Sequence, residues 1–148
     1  MSGPPVFYVQ IGGDPVPADR PRFDSRTRRT YTPPKYHRWK RDAAIICAAH
    51  WKEEPIYSAV AVLVEVTLPR PASKPRTPLH ARYWHPSEDY PIPLRGDADN
   101  YAKAALDALT QGRVIVDDRL VVELTVTKHA GSVPGVEITV SMVDPEWD

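Results

Sequence analysis

Seventeen prolines in 148 residues set most of the limits on how this chain folds. Proline removes a backbone donor and fixes φ, which bars it from helix interiors and central strands. Seven of the seventeen fall between Pro69 and Leu94. That stretch therefore reads as a long Pro-rich flap over residues 69–95; irregular chain of this length is usually either functional or disordered, and its composition favours a surface flap over a nucleic-acid contact. Regular structure is confined to the windows between prolines.

Val6–Ile11 reads as a first strand, closed by Gly12-Gly13. Residues 14–33 read as a polar, basic loop. Pro33-Pro34 suits the first turn of a helix running from Lys35 to about Trp51, with Trp39, Ala43, Ile46 and His50 near helical spacing. Ala59–Leu68 is nearly continuous apolar sequence rich in valine, expected of an inner strand covered on both faces. A second helix has Asp99 as its expected N-cap, Ala102, Ala105, Leu106 and Leu109 as its apolar stripe and Gly112 as its stop. Val114-Ile115-Val116 begins a strand or a strand entry. Leu120–Thr127 alternates, with Leu120, Val122, Leu124 and Val126 on one face, and Val136–Val143 alternates again. The expected fold is α/β (α+β): a single small domain with two main helices on a mixed β-sheet of about four to five strands.

Several chemistries are excluded early. Cys47 is the only cysteine, so there is neither a disulfide framework nor a cysteine zinc site, and its apolar neighbours make it a buried hydrophobe. The five histidines show no paired zinc spacing. No serine stands in a nucleophile elbow, and Gly12-Gly13 is not followed by a phosphate-loop lysine. The sequence has no signal-like start and no apolar run long enough to cross a bilayer, so a cytoplasmic protein with no membrane partner is expected.

Formal net charge is zero, but the average hides the distribution. Between Arg20 and Arg41 there are nine Lys or Arg against Asp24 alone, a local charge of +8. Phe23, Tyr31, Tyr36 and Trp39 are interleaved with them. Cations mixed with aromatics suit a phosphate backbone and unstacked bases, and Arg20, Arg22, Arg26, Arg28, Arg29, Lys35 and Arg38 are the expected nucleic-acid contacts.

The balancing negative charge gathers after Asp97. Asp97, Asp99, Lys103 and Asp107 line up around the start of the second helix, and Asp117-Asp118 follow the next apolar run. Taken singly, these are an N-cap, an i, i+4 charge ladder and a turn. Taken together, they place carboxylates and one lysine where Mg²⁺ is commonly held, by a few carboxylates, water and substrate phosphate. The motif is not an EF-hand loop, which requires a further acid, a glycine and a terminal glutamate. A metal site here requires Asp97, Asp99, Asp117 and Asp118 to converge on one pocket beside Lys103.

At these residues the chain resembles the RusA family of Holliday-junction resolvases, small endonucleases often carried by phages. The family pattern Asp-x-Asp-Asn-x-x-Lys, then Asp-Ala-Leu, then Asp-Asp stands here as Asp97-Ala98-Asp99-Asn100-Tyr101-Ala102-Lys103, Asp107-Ala108-Leu109 and Asp117-Asp118. Val121-Val122 and Lys128 resemble the strand that follows, and Arg20-Pro21-Arg22-Phe23 with Tyr31-Thr32-Pro33 resembles a motif of many phage members. The resemblance implies a RusA-like fold and a homodimeric, Mg²⁺-dependent nuclease, with Mn²⁺ as a substitute, nicking opposed strands of four-way or branched DNA in recombination and repair. It implies Asp97, Asp99 and Asp118 as catalytic metal-site carboxylates and Lys103 as the catalytic lysine. Asp117 is implied as a further metal-site acid, with Asn100, Asp107 and Lys128 in support. Two rivals are a non-catalytic branched-DNA-binding module and a metal nuclease directed at flaps or RNA.

Overall fold

The computed structural model describes residues 2–18, 22–31, 33–69 and 96–143. Its elements are β1 (Ser2–Gly12), β2 (Arg22–Asp24), β3 (Arg29–Tyr31), α1 (Pro34–His50), β4 (Val60–Pro69), α2 (Ala98–Gln111), a single 3₁₀ turn (Asp118–Leu120), β5 (Val121–Gly131) and β6 (Gly135–Val143). The 69–95 flap expected from the sequence lies, beyond Pro69, outside the described residues.

Four strands form one mixed sheet in the order β1-β6-β4-β5. β6 pairs antiparallel with both β1 and β4, whereas β4 and β5 run parallel. A parallel pair needs a crossover, and α2 lies within it. Valine occupies alternate positions of β4, and Val60, Val62, Val64, Val66 and Leu68 all point into the core. The intervening residues of β4 are only half-buried, so this strand is central in the sheet yet covered on one face, not on both as its valine run suggested. The other face carries polar groups: the Tyr8 hydroxyl donates to Glu137, and Gln10 Nε2 donates to the same carboxylate at 2.9 Å. These two bonds hold the Glu137 carboxyl below its ordinary range.

α1 and α2 share the buried face of the sheet. Ala102, Ala105 and Leu109 of α2 are buried as their spacing predicts, and Tyr101, Ala104 and Ala108 join them. Removing a side chain as enclosed as Leu109, which is fully buried, costs about 3 kcal/mol. Gly112 caps α2 where α1 passes close by: a Cβ there would stand 2.7 Å from Cys47 Cβ and 2.9 Å from the Ala44 carbonyl, so only glycine fits. α1 buries Tyr36, Ala43, Ala44 and Cys47, while His50 is exposed. Burial pushes the Cys47 thiol up to about 12, as befits an inert core residue.

Three local expectations are corrected. The basic stretch contains the β2–β3 hairpin, whose turn is pinned by the Asp24 side chain accepting from Arg26 N–H at 2.9 Å. α2 takes Asp97, not Asp99, as its N-cap residue, and Asp99 sits in the first turn. A register shift between Val60/Val121 and Ala61/Glu123 interrupts the alternation of β5, leaving Val122 59% exposed. Such a bulge inserts one residue and turns the neighbouring side chains to the other face. Among the described residues no helix is long and apolar enough to cross a membrane.

Candidate functional site

The start of α2 is fixed from two sides. Gly96 has φ +83, and a Cβ there would approach the Tyr101 hydroxyl to 2.5 Å, so only glycine fits this turn. Lys128, near the end of β5, donates from Nζ to the Gly96 carbonyl at 2.7 Å. The Asp97 carbonyl then accepts from the Asn100 and Tyr101 amides, at 3.0 and 3.1 Å, to open the helix. The Asp97 side chain makes no capping bond, which leaves its exposed carboxylate out of the helix's own hydrogen bonding.

Across from α2, β5 presents Leu124 and Val126 in register with Val62 and Val64 of β4. An open groove of about 370 Å³ runs between them, lined by Ala98, Asp99, Ala102, Lys103 and Leu106 of α2, Leu124 and Val126 of β5, and Asp118 of the 3₁₀ turn. Asp99, Lys103 and Asp118 are separated by up to nineteen positions in sequence and share this one groove. Its floor is apolar and its charges stand on the walls. The floor residues Leu124 and Val126 carry no chemical label in the sequence; only their alternation marks them.

Asp117 is placed elsewhere. It lines a second hollow with Tyr57, Val116, Arg119 and Leu120. Its Oδ1 accepts from Arg119 N–H at 2.9 Å and its Oδ2 lies 3.4 Å from Arg119 Nε. The bond from the Arg119 amide is the main cause holding the Asp117 carboxyl below its usual range. Asp97 is not among the residues lining the groove either. The convergence of four carboxylates in one tight pocket is thus not observed: among the described residues no three His, Cys, Asp or Glu side chains stand together closely enough to cage a metal ion. What the groove offers is an open pair of carboxylates beside a lysine. That donor set fits Mg²⁺, which keeps most of its waters and is held by one or two carboxylates plus substrate phosphate.

Lys103 itself is tethered. Its Nζ lies 3.6 Å from Asp107 Oδ1 one turn further along α2, and Asp107 in turn accepts from the Tyr36 hydroxyl of α1. The base of the basic arm is built into the same region: Ala18 N–H donates to the Asn100 carbonyl at 3.0 Å, and Val16 and Ala18 are buried with Tyr36 and Ala104. Beyond this base, Arg26, Arg28 and Arg29 are exposed on the β2–β3 hairpin, and Lys35 and Arg38 on the first turns of α1. Arg28 holds the hairpin's left-handed position, with φ 57. Arg20 and the side chain of Arg22 lie outside the described residues. Tyr36, which the sequence offered as an aromatic for unstacked bases, is instead buried, and it reaches the site through its hydroxyl. The one available signal was its spacing, since Tyr36, Ala43 and Cys47 fall on one helical face.

No curated protein matches the chain significantly. A family model described as Endodeoxyribonuclease RusA matches residues 12–141, from the end of β1 to near the end of β6. The match takes in the basic arm, both walls of the groove and every carboxylate discussed above. The chain belongs to the RusA family of endodeoxyribonucleases, the Holliday-junction resolvases.

Proposed function

We propose that this protein is a metal-dependent endonuclease that nicks opposed strands of four-way DNA junctions, working as a homodimer in recombination and repair. The observation that carries the reading is the shared groove of Asp99, Lys103 and Asp118. Family membership supports the nuclease activity. Two equivalent scissile strands in a junction match the two equivalent sites of a two-fold dimer.

Asp99 and Asp118 would hold Mg²⁺, or Mn²⁺ in its place, with the exposed Asp97 carboxylate at the start of α2 as a further ligand. The ion, when bound, supplies charge stabilisation at the scissile phosphate and lowers the pKa of water. The remaining work falls to side chains of this chain. Lys103 places a positive charge on the groove wall, where it offsets the negative charge that develops on the phosphate oxygens during displacement. Asp117 shapes the turn that puts Asp118 on the groove, and Lys128 and Asn100 brace the start of α2 through Gly96 and Ala18. Arg26, Arg28, Arg29, Lys35 and Arg38, with Arg20 and Arg22, bind the phosphate backbone without reading sequence.

The test is nicking of a synthetic four-way junction with strands labelled in turn. Paired, symmetric nicks that require Mg²⁺ or Mn²⁺ and vanish with chelator are expected. Junction binding without cleavage at any concentration of either ion would reduce the protein to a binding module. Preferential cutting of flaps, forks or RNA–DNA hybrids would reassign its substrate.

A further inference from the structure

We propose that Tyr36 and Asp107 are positioning residues for Lys103, forming a short chain from a buried hydroxyl through a carboxylate to the lysine on the groove wall. This rests on the nuclease reading above.

The three groups differ sharply in freedom. Tyr36 is 3% exposed and its ring is packed among Val16, Ala18, Ala104 and Trp39. The side chain of Asp107 is 24% exposed and that of Lys103 is 64% exposed. The Tyr36 hydroxyl donates to Asp107 Oδ2, while Oδ1 of the same carboxylate faces Lys103 Nζ at 3.6 Å. A surface ion pair between two mobile side chains holds little, because both must be ordered for a weak attraction. Here one partner is already fixed: an O–H bond to an ionised carboxylate is among the stronger hydrogen bonds, and its donor is locked in packed surroundings. Only the lysine remains to be ordered. Burial, and then the hydrogen bond to Asp107, raise the Tyr36 pKa far above its ordinary value, so the hydroxyl stays a donor at any working pH. The Tyr36 cluster also holds Val16 and Ala18, the base of the basic arm. The same ring therefore ties together the arm that grips DNA and the lysine that meets it.

The alternative is that the Tyr36–Asp107 bond only joins the two helices and that Lys103–Asp107 is an ordinary solvated pair. Tyr36→Phe separates the two, since it keeps the ring in place and removes the hydroxyl. Under single-turnover conditions at saturating protein, the cleavage rate should fall about tenfold, the scale of a modest misplacement of a catalytic group. Junction Kd should stay within about twofold, as an effect on the chemical step alone requires. Asp107→Asn should reproduce this pattern. In a Lys103→Ala background Tyr36→Phe should change nothing further; an additive loss there, or no loss in the wild-type background, would overturn the proposal. A second readout needs no DNA: reductive methylation of Lys103, followed by mass spectrometry, should run faster in Tyr36→Phe. An unchanged labelling rate overturns the placement. A wild-type protein that cuts no branched DNA brings down the nuclease reading, and the placement of Lys103 then stands or falls on the labelling.

Discussion

Two hollows meet at the Asp117–Asp118 pair, and they use chemically identical side chains differently. On one side Asp118 joins Asp99 and Lys103 along the groove between α2 and β5. On the other, Asp117 faces Tyr57 and spends both carboxylate oxygens on the backbone and side chain of Arg119. The difference arises in the 3₁₀ turn. An aspartate one residue before the turn caps it, as short acidic side chains do at helix starts, and the next residue is left to face outward. Adjacency in sequence therefore does not put these two acids on one hollow: they line opposite sides of the turn, although the Asp118 side chain still helps to hold the Asp117 carboxyl low.

The sharpest way to break this comparison is to neutralise each acid in turn. Asp118→Asn should lower the cleavage rate by at least about 100-fold while leaving junction affinity within about threefold, since it removes a transition-state interaction and not the basic arm. Asp117→Asn should leave cleavage within about threefold of wild type. Equal losses in a single-turnover assay of both variants would show that the two acids act as one site. Next in size is the arm: Arg28→Ala combined with Arg29→Ala should weaken junction binding and reduce the slope of log K against log salt by about 2, one unit for each phosphate that an arginine no longer neutralises. A titration with unchanged slope would place the DNA elsewhere.

Ion binding gives a smaller, physical readout. Mg²⁺ at about ten times its Kd should raise the Tm by about 4–5 °C for a domain of this size. Asp118→Asn should abolish most of that rise and Asp117→Asn should not, as thermal scans of the three proteins would establish. The smallest effect concerns acid. The folded-state pKa of Asp117 is depressed by the Arg119 amide, so its contribution to stability is present above the unfolded carboxylate value and is lost as pH falls through the folded one. Asp117→Asn should flatten that part of the acid-side loss of stability, as urea unfolding across the acid range would show.

Much of this was legible from residues alone, for identifiable reasons. α2 announced itself because Ala102, Ala105 and Leu109 repeat at helical spacing and the helix buries that stripe. β6 did so because Val136, Ile138 and Val140 alternate on a half-buried sheet. The β2–β3 hairpin was hidden because its three-residue strands carry mainly charged or polar groups and show no apolar period; its real signal was the Asp24 turn. In β5 a bulge broke a periodicity that the sequence carries unbroken. The motif residues Asp99, Lys103 and Asp118 were marked by their chemistry, and the fold puts them in one groove. The partition of Asp117 from Asp118 depends on one turn's hydrogen bonds, and the bond from Tyr36 to Asp107 spans 71 positions. Neither leaves a trace in residue spacing.

The most direct test of the account is a crystal soaked in Mn²⁺ and measured at the manganese absorption edge. An anomalous peak in the groove, in contact with carboxylate oxygens of Asp99 and Asp118, is the predicted result. A peak beside Asp117 and Tyr57, or an empty groove at saturating Mn²⁺ with junction DNA bound, would contradict it.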